Sequence, residues 1–243
     1  MAVNINTVYQ KVLAIANKEK RGYLTPQEFN LFADQAQKEI FEQYFYDLNQ
    51  FKRVSGNTSE YSDMVDYLED KISFFQDVDS PVTVGVNGNI QFSAFIYDIY
   101  RLTQVSVKYL ENSLPVIAEQ NTQKDMSIYN DTTLAVHSKK RPVYVRKQND
   151  TIQVYPFPNT DSLIDQVRIQ YIRFPKKPNW AYKIINQKPF YESSNSVNFE
   201  LHPSDESELV YRILFMAGVA IEKPQLSQAA AALQTSSIQQ EKR

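Results

Sequence analysis

The chain has 243 residues, a formal net charge of −2 and no cysteine, with only 5 glycines against 16 tyrosines and 14 phenylalanines. Near neutrality gives no long-range attraction to nucleic acid or anionic membranes as a whole. The missing cysteines remove disulfides, thiolate nucleophiles, iron–sulfur clusters and Cys-based zinc sites. Scarce glycine argues against phosphate-cradling loops, which need close backbone approach, whereas abundant tyrosine suits both cores and protein interfaces.

The first segment, MAVNINTVYQKVLAIANKEK, is amphipathic and lacks the continuous apolar stretch of a secretory signal. Val8, Val12, Leu13 and Ile15 predict a short helix that stops near Arg21 and Gly22. Residues 24–51 (LTPQEFNLFADQAQKEIFEQYFYDLNQF) then open as a helix start. Thr25 is placed to cap, Pro26 occupies the first helical position, and Glu28 completes a capping box, with Leu24 and Phe29 as its hydrophobic staple. Replacing the Thr25 cap by Ala is expected to cost about 1 kcal/mol. One stripe of this helix is Phe29, Ala33, Ala36, Ile40 and Tyr44, and a second is Phe41, Phe45 and Leu48. A surface helix normally needs only one stripe, so two imply burial from two directions. A second helix and a sheet of the same domain, or another subunit, would each satisfy this.

After SGNTS, residues 61–75 read as a third helix with Met64, Leu68, Ile72 and Phe75 in register, its acidic Asp66, Glu69 and Asp70 on a solvated face. From residue 81 the period changes to two. Val82, Val84 and Val86 alternate up to Asn87–Gly88, then Ile90 and Phe92 beyond it, the pattern of a hairpin. Residues 100–109 form a strand. Residues 141–156 predict a second hairpin around Asn149–Asp150, with Val143 and Val145 opposed by Ile152 and Val154, and Tyr144 and Arg146 on the outer face. Residues 166–174 supply another strand, ended by the stiff loop PKKPNW. Pro203 and Ser204, followed by Asp205, Glu206 and Glu208, begin a helix whose acidic first turn suits its dipole. Leu209, Ile213, Met216, Val219 and Ala220 make its buried face, and Pro224 follows its end. The tail QLSQAAAALQTSSIQQEKR has a thin apolar face that would be a marginal helix alone, and reads as an arm ordered against a partner.

The expected fold is therefore α+β: a helical bundle from residues 1–80 and 201–223, a β-rich insertion at 81–200, and a C-terminal arm at 224–243. The longest apolar run, ILFMAGVAI at 213–221, is far below the roughly 18 residues needed to span a bilayer, so no membrane association is expected.

Catalytic and metal patterns do not emerge. His137 and His202 lack metal-ligand spacing, and the Asp77/Asp79 segment fails a calcium loop because position six is Val82 and position twelve Gly88. There is no GxSxG, SxxK, GxGxxG or P-loop. No catalytic, cofactor or metal residue is assigned. The basic stretch KKRPVYVRK at 139–147 interleaves cations with Tyr144, as single-strand binders do, but a solvated hairpin face explains the charges without nucleic acid and is the preferred reading.

Four stretches carry a resemblance: LTPQEFNLFADQAQKEIFEQYF, RPVYVRKQNDTIQVYPFP, QVRIQYIRFPKKPNW and FELHPSDESELVYRILFMAGVAIEKP. They resemble the head–tail connector ring proteins of crAss-like bacteriophages and, more distantly, the tail-adaptor proteins of short-tailed phages. The resemblance implies a non-enzymatic virion neck component without cofactors, assembled in the host bacterial cytoplasm as a ring of twelve copies. It implies docking beneath the portal protein, contact with an adjacent tail ring, and a channel for double-stranded DNA without sequence-specific binding. Carried onto this chain, the portal-contact candidates are Gln225, Leu226, Ala230, Leu233, Ile238, Lys242 and Arg243. Subunit or ring contacts are expected at Phe41, Phe45, Leu48, Lys176, Lys177 and Trp180. The main alternative is a tail-associated carbohydrate- or receptor-binding module presenting Tyr144, Tyr155 and Trp180; a cell-wall hydrolase would need an acid and base that no motif displays.

Overall fold

A computed structural model describes residues 2–16, 24–53, 59–95, 97–109, 114–131, 136–148, 150–159, 165–220 and 224–241. Its helices are α1 (Ile5–Ala16), α2 (Pro26–Arg53), α3 (Ser59–Ser73), α4 (Gln123–Asp131), α5 (Glu206–Ala220) and α6 (Pro224–Glu241). The strands are β1 (Gln76–Val82), β2 (Asn89–Gln91), β3 (Ile99–Lys108), β4 (Val116–Ile117) and β5 (Glu119–Asn121). They continue with β6 (Val143–Gln148), β7 (Thr151–Tyr155), β8 (Gln166–Arg173), β9 (Tyr182–Ile185) and β10 (Lys188–Tyr191). The fold is α+β, with helices at both ends and a β-rich middle. Two compact units form: Met1–Phe74 with Pro175–Arg243, and Phe75–Phe174. The β unit thus begins before residue 81 and ends well before residue 200, and residues 175–200 belong with the helices.

In the helical unit, α2 starts as its sequence predicts. The Glu28 N–H donates to Thr25 Oγ1 at 3.3 Å, and the Thr25 N–H donates to Glu28 Oε2 at 2.9 Å. The Thr25 N–H, and then the Thr25 hydroxyl donating to Glu28 Oε2 at 2.7 Å, hold the Glu28 carboxyl below its ordinary pKa. Leu24 and Phe29 are both buried, as the staple requires. The whole first stripe, Phe29 to Tyr44, is buried. In the second stripe Phe41 is buried while Phe45 and Leu48 are half-buried, with the Phe41 and Phe45 rings edge-on at 5.1 Å. Cover from two directions comes from the same unit, because α3 and α5 both pack on α2.

The α1 helix buries Ile5, Val8, Tyr9, Val12 and Ala16, but Ile15 is exposed; the stop expected at Arg21 and Gly22 lies outside the described residues. On α5 the buried face is Leu209, Val210, Ile213, Leu214 and Ala217, with Met216 only half-buried. The side chains of Val219 and Ala220 lie outside what is described. The α6 helix packs on α5 and buries Ala230. The C-terminal arm is therefore seated on its own chain. A helix marginal in water becomes stable once its thin apolar face has a partner helix.

Two amides explain why residues 175–200 join this unit. Asn30 and Gln37 are seven apart on α2, one above the other on the helix face. Asn30 Oδ1 accepts from the Trp180 N–H at 2.8 Å, and its amide donates to the Trp180 carbonyl at 3.2 Å. Gln37 is fully buried; its amide donates to the Lys176 carbonyl at 2.8 Å and its Oε1 accepts from the Glu200 N–H at 3.0 Å. Each amide imitates a backbone partner, so a loop segment can be buried on a helix without unsatisfied polar groups.

The β unit is a two-sheet sandwich. One sheet runs β1-β8-β3-β4 and the other β2-β7-β6-β5, with β5 parallel to β6. Val105, Val107, Val167, Ile169 and Tyr171 from the first sheet meet Ile90, Tyr144, Ile152 and Val154 from the second in one core. The chain changes sheets at buried Ala118, whose N–H donates to Val105 O at 2.8 Å while the Glu119 N–H donates to Pro142 O at 3.0 Å.

Two hairpin expectations change here. Asn87 and Gly88 do turn, both with positive φ (63° and 71°). The strands they join diverge, however: β1 pairs with β8 and β2 with β7. The expected hairpin is a crossover between sheets, because Val82 before the turn and Ile90 after it serve opposite layers of one core. The hairpin at 141–156 forms, but Val143 faces Tyr155 and Val145 faces Gln153, while Tyr144 faces Val154. Tyr144 points into the sandwich core and is buried. Val143 and Val145 form a second small cluster with Met126 of α4. Both faces of β6 are covered, so the solvated outer face survives only from Arg146 onward.

Candidate functional site

The helical unit contains a buried ion pair that sequence reading missed. Lys71 Nζ donates to Asp205 Oδ1 at 2.7 Å, and both side chains are almost fully buried. The Tyr44 hydroxyl donates to the other carboxylate oxygen, and Ser204 Oγ donates to Oδ1 at 3.1 Å. Asp205, read as a partner of the helix dipole, is also the point where α2, α3 and the start of α5 are tied together. Burial, then the charge of Asp205, raises the Tyr44 pKa far above the ordinary phenol value. Burial pulls Lys71 down, but the hydrogen bond and charge of Asp205, aided by Tyr67, overcome it and leave the ammonium above the ordinary lysine value. This is a structural clamp: its members bond to one another, and Tyr44 and Lys71 also border a recess of about 120 Å³ with Gln43, Asp47 and Tyr67. Nearby, Arg212 bridges Glu208, Glu39 and Gln43, tying α5 to α2. His202 accepts from the Ser204 N–H at 3.3 Å and caps the turn before α5.

Trp180 is not a surface contact. It is buried, its indole N–H donates to Asn6 Oδ1 at 3.1 Å, and its ring lies 4.1 Å from Tyr9 and 5.7 and 5.8 Å from Tyr182 and Tyr191. It anchors the β9–β10 hairpin onto α1 within its own unit. Lys176 and Lys177 remain exposed, Lys176 beside Glu200 at 3.8 Å.

The hairpin that Trp180 anchors presents apolar residues outward. Its two-residue turn, Asn186–Gln187, has φ of 49° and 63°, the geometry that matches strand twist. Tyr182 pairs with Tyr191 at its base. Toward the tip Ile184 is 72% exposed, Ile185 52% and Phe190 51%. Among the described strands β9 and β10 pair only with each other.

Of the portal-contact candidates, Leu233 is exposed on α6 and Ala230 is buried. Gln225, Leu226 and Ile238 lie on α6 with side chains outside what is described, and Lys242 and Arg243 lie outside the described residues.

The β unit holds a cleft of about 640 Å³, lined by Phe92, Asp98, Tyr100, Arg146, Lys147 and Asp150 among others. Consecutive Arg146 and Lys147 both reach it because the β6–β7 register shifts between Arg146 and Gln148; a bulge re-aims side chains in this way. A smaller recess holds Glu119, Tyr129, His137 and Arg141. There His137 lies 5.3 Å from the Tyr155 ring, burial lowers its pKa, and Nδ1 has no hydrogen-bond partner among the described residues. Among the described residues no group of three or more His, Asp or Glu side chains is placed to hold a metal ion. Nor is any helix of the described residues long and apolar enough to cross a membrane. Tyr144, Tyr155 and Trp180 do not make the expected carbohydrate platform: Tyr144 and Trp180 are buried in two different units.

No family model matches the chain, and no curated protein matches it.

Proposed function

We propose that this chain is a structural, non-enzymatic ring subunit of a phage virion neck, docking on a portal and carrying a further tail ring. Its sequence resemblance to connector ring proteins supports this, and the observation that carries it is the β9–β10 hairpin. A two-stranded hairpin is marginal in water, yet this one holds two isoleucines and a phenylalanine outward. Ile185 and Phe190 share one face of the hairpin and Ile184 stands on the other, and exposed apolar side chains on a rigidly anchored element mark a protein contact. Covering each of the three would stabilise an interface by about 1–2 kcal/mol. In a ring, the same heterologous contact repeats between every pair of neighbours until it closes.

The near-neutral charge suits a DNA channel, since a strongly basic lining would grip passing duplex through counterion release. The outward face of α6, with Leu233, remains the portal-side candidate, while Ala230 serves the fold. Native mass spectrometry of the chain alone and with portal protein tests the reading. Wild type is expected to form a closed oligomer or to join the portal, and Ile184→Asp with Phe190→Asp to do neither while keeping its circular dichroism. A wild-type chain that stays monomeric in both conditions overturns it.

A further inference from the structure

We infer that the cleft of the β unit binds a short saccharide. Its volume, about 640 Å³, falls within the range of small-ligand sites. Its walls are fixed before any ligand arrives. The Phe92 N–H donates to Asp150 O at 2.7 Å, and the Phe174 N–H donates to Asp98 O at 2.9 Å. Tyr100 packs edge-on against Phe174 at 5.0 Å, and the Arg146 guanidinium lies 6.0 Å from the Phe92 ring centre.

The lining selects the chemistry. Two cations, Arg146 and Lys147, stand with two carboxylates, Asp98 and Asp150, so the cleft carries no net charge. A polyanion such as nucleic acid would meet both carboxylates as it met the cations, and repulsion would cancel the attraction. An apolar ligand would strip water from four charged groups and return no hydrogen bonds. A sugar suits both demands. Its vicinal hydroxyls donate to carboxylates and accept from guanidinium and ammonium, and its C–H faces lie against half-buried rings of Phe92 and Tyr100. The β-bulge at Arg146 supports this purpose, since it brings two neighbouring cations to one cleft that a regular strand would have sent to opposite faces. The saccharide site is independent of the ring assignment, so either can fail alone.

The test uses the full chain and a panel of neutral and uronic-acid-containing oligosaccharides, titrated by isothermal calorimetry and by glycan array, with a single-stranded oligonucleotide as comparison. At least one oligosaccharide is expected to bind saturably. The paired variant Asp98→Asn with Asp150→Asn, and separately Tyr100→Ala, are each expected to weaken that binding at least tenfold. Asp98 and Asp150 are exposed, so the first variant is expected to keep the wild-type unfolding midpoint and reads binding without loss of fold. No binding across the panel, binding unchanged by both variants, or tighter binding to the oligonucleotide overturns the inference.

Discussion

Replacing Lys71 by Met should destabilise the helical unit by about 3–5 kcal/mol, the cost of leaving the other charge of a buried pair without its partner. The geometry puts this pair in that class. Both side chains are under a tenth exposed and meet at 2.7 Å. After the substitution Asp205 keeps only the Tyr44 and Ser204 hydroxyls as donors, which hydrogen-bond the carboxylate without neutralising it. For a unit of this size the loss corresponds to a fall in Tm of roughly 6–20 °C. The single tryptophan, Trp180, is buried in the same unit, so its fluorescence reports that unit during thermal or urea unfolding. Two controls sharpen the reading. Lys11→Met breaks the exposed Lys11–Glu206 contact and should cost under about 1 kcal/mol. The triple variant Lys71→Met, Asp205→Leu, Tyr44→Phe removes the charges together with the dependent hydroxyl and should recover at least half of the loss. If Lys71→Met alone costs less than about 1 kcal/mol, the clamp does not hold the three helices as described.

Trp180→Ala, which removes the fluorescent reporter and is followed by circular dichroism instead, should cost about 3–5 kcal/mol because it empties a buried aromatic site; a near-silent substitution would return Trp180 to the surface contacts. Gly88→Ala should destabilise the β unit by more than about 1 kcal/mol in urea unfolding. An added Cβ there lies 2.5 Å from the Val154 carbonyl at a φ of 71°; an unchanged midpoint would mean the turn relaxes freely. Alkaline unfolding follows from the tyrosines. Burial, then the hydrogen bond to Asp77, pushes Tyr171 up to about 12, while an unfolded tyrosine ionises near about 10. Its contribution is complete below the unfolded value and is lost as pH rises from about 10 to about 12. Tm should therefore fall across that window, and less steeply in Tyr171→Phe; parallel profiles would exclude Tyr171 as a source.

Local signals transmitted well from sequence to structure. The Thr25–Glu28 box, the Leu24–Phe29 staple and the stripe from Phe29 to Tyr44 depend only on residues within a few positions of each other, and each formed as written. The strands at residues 100–109 and 166–174 were legible for the same reason. What failed was pairing. Alternation around Asn87–Gly88 names two strands and a turn, but which sheet each strand enters depends on β7 and β8, which come some sixty to ninety residues later. Tyr144 was placed outside because a hairpin seen alone has one apolar face; α4 covers the second and inverts the reading. The one available clue to the fate of residues 175–200 was Asn30 and Gln37 at heptad spacing on an otherwise apolar helix side.

Taken by itself, the order of residues determined the start of α2, the turn at Asn87–Gly88, the α+β class and the lack of recognisable catalytic motifs, since these arise from backbone propensity and near-neighbour contacts, but not α4 or the β9–β10 hairpin. Only the tertiary structure decided that Asp205 is a buried counter-ion, that Trp180 is an internal anchor, that α6 lies on α5, and that Arg146 and Lys147 share a cleft. Those outcomes need groups brought together across long stretches of chain, where burial removes water and makes the choice of partner decisive.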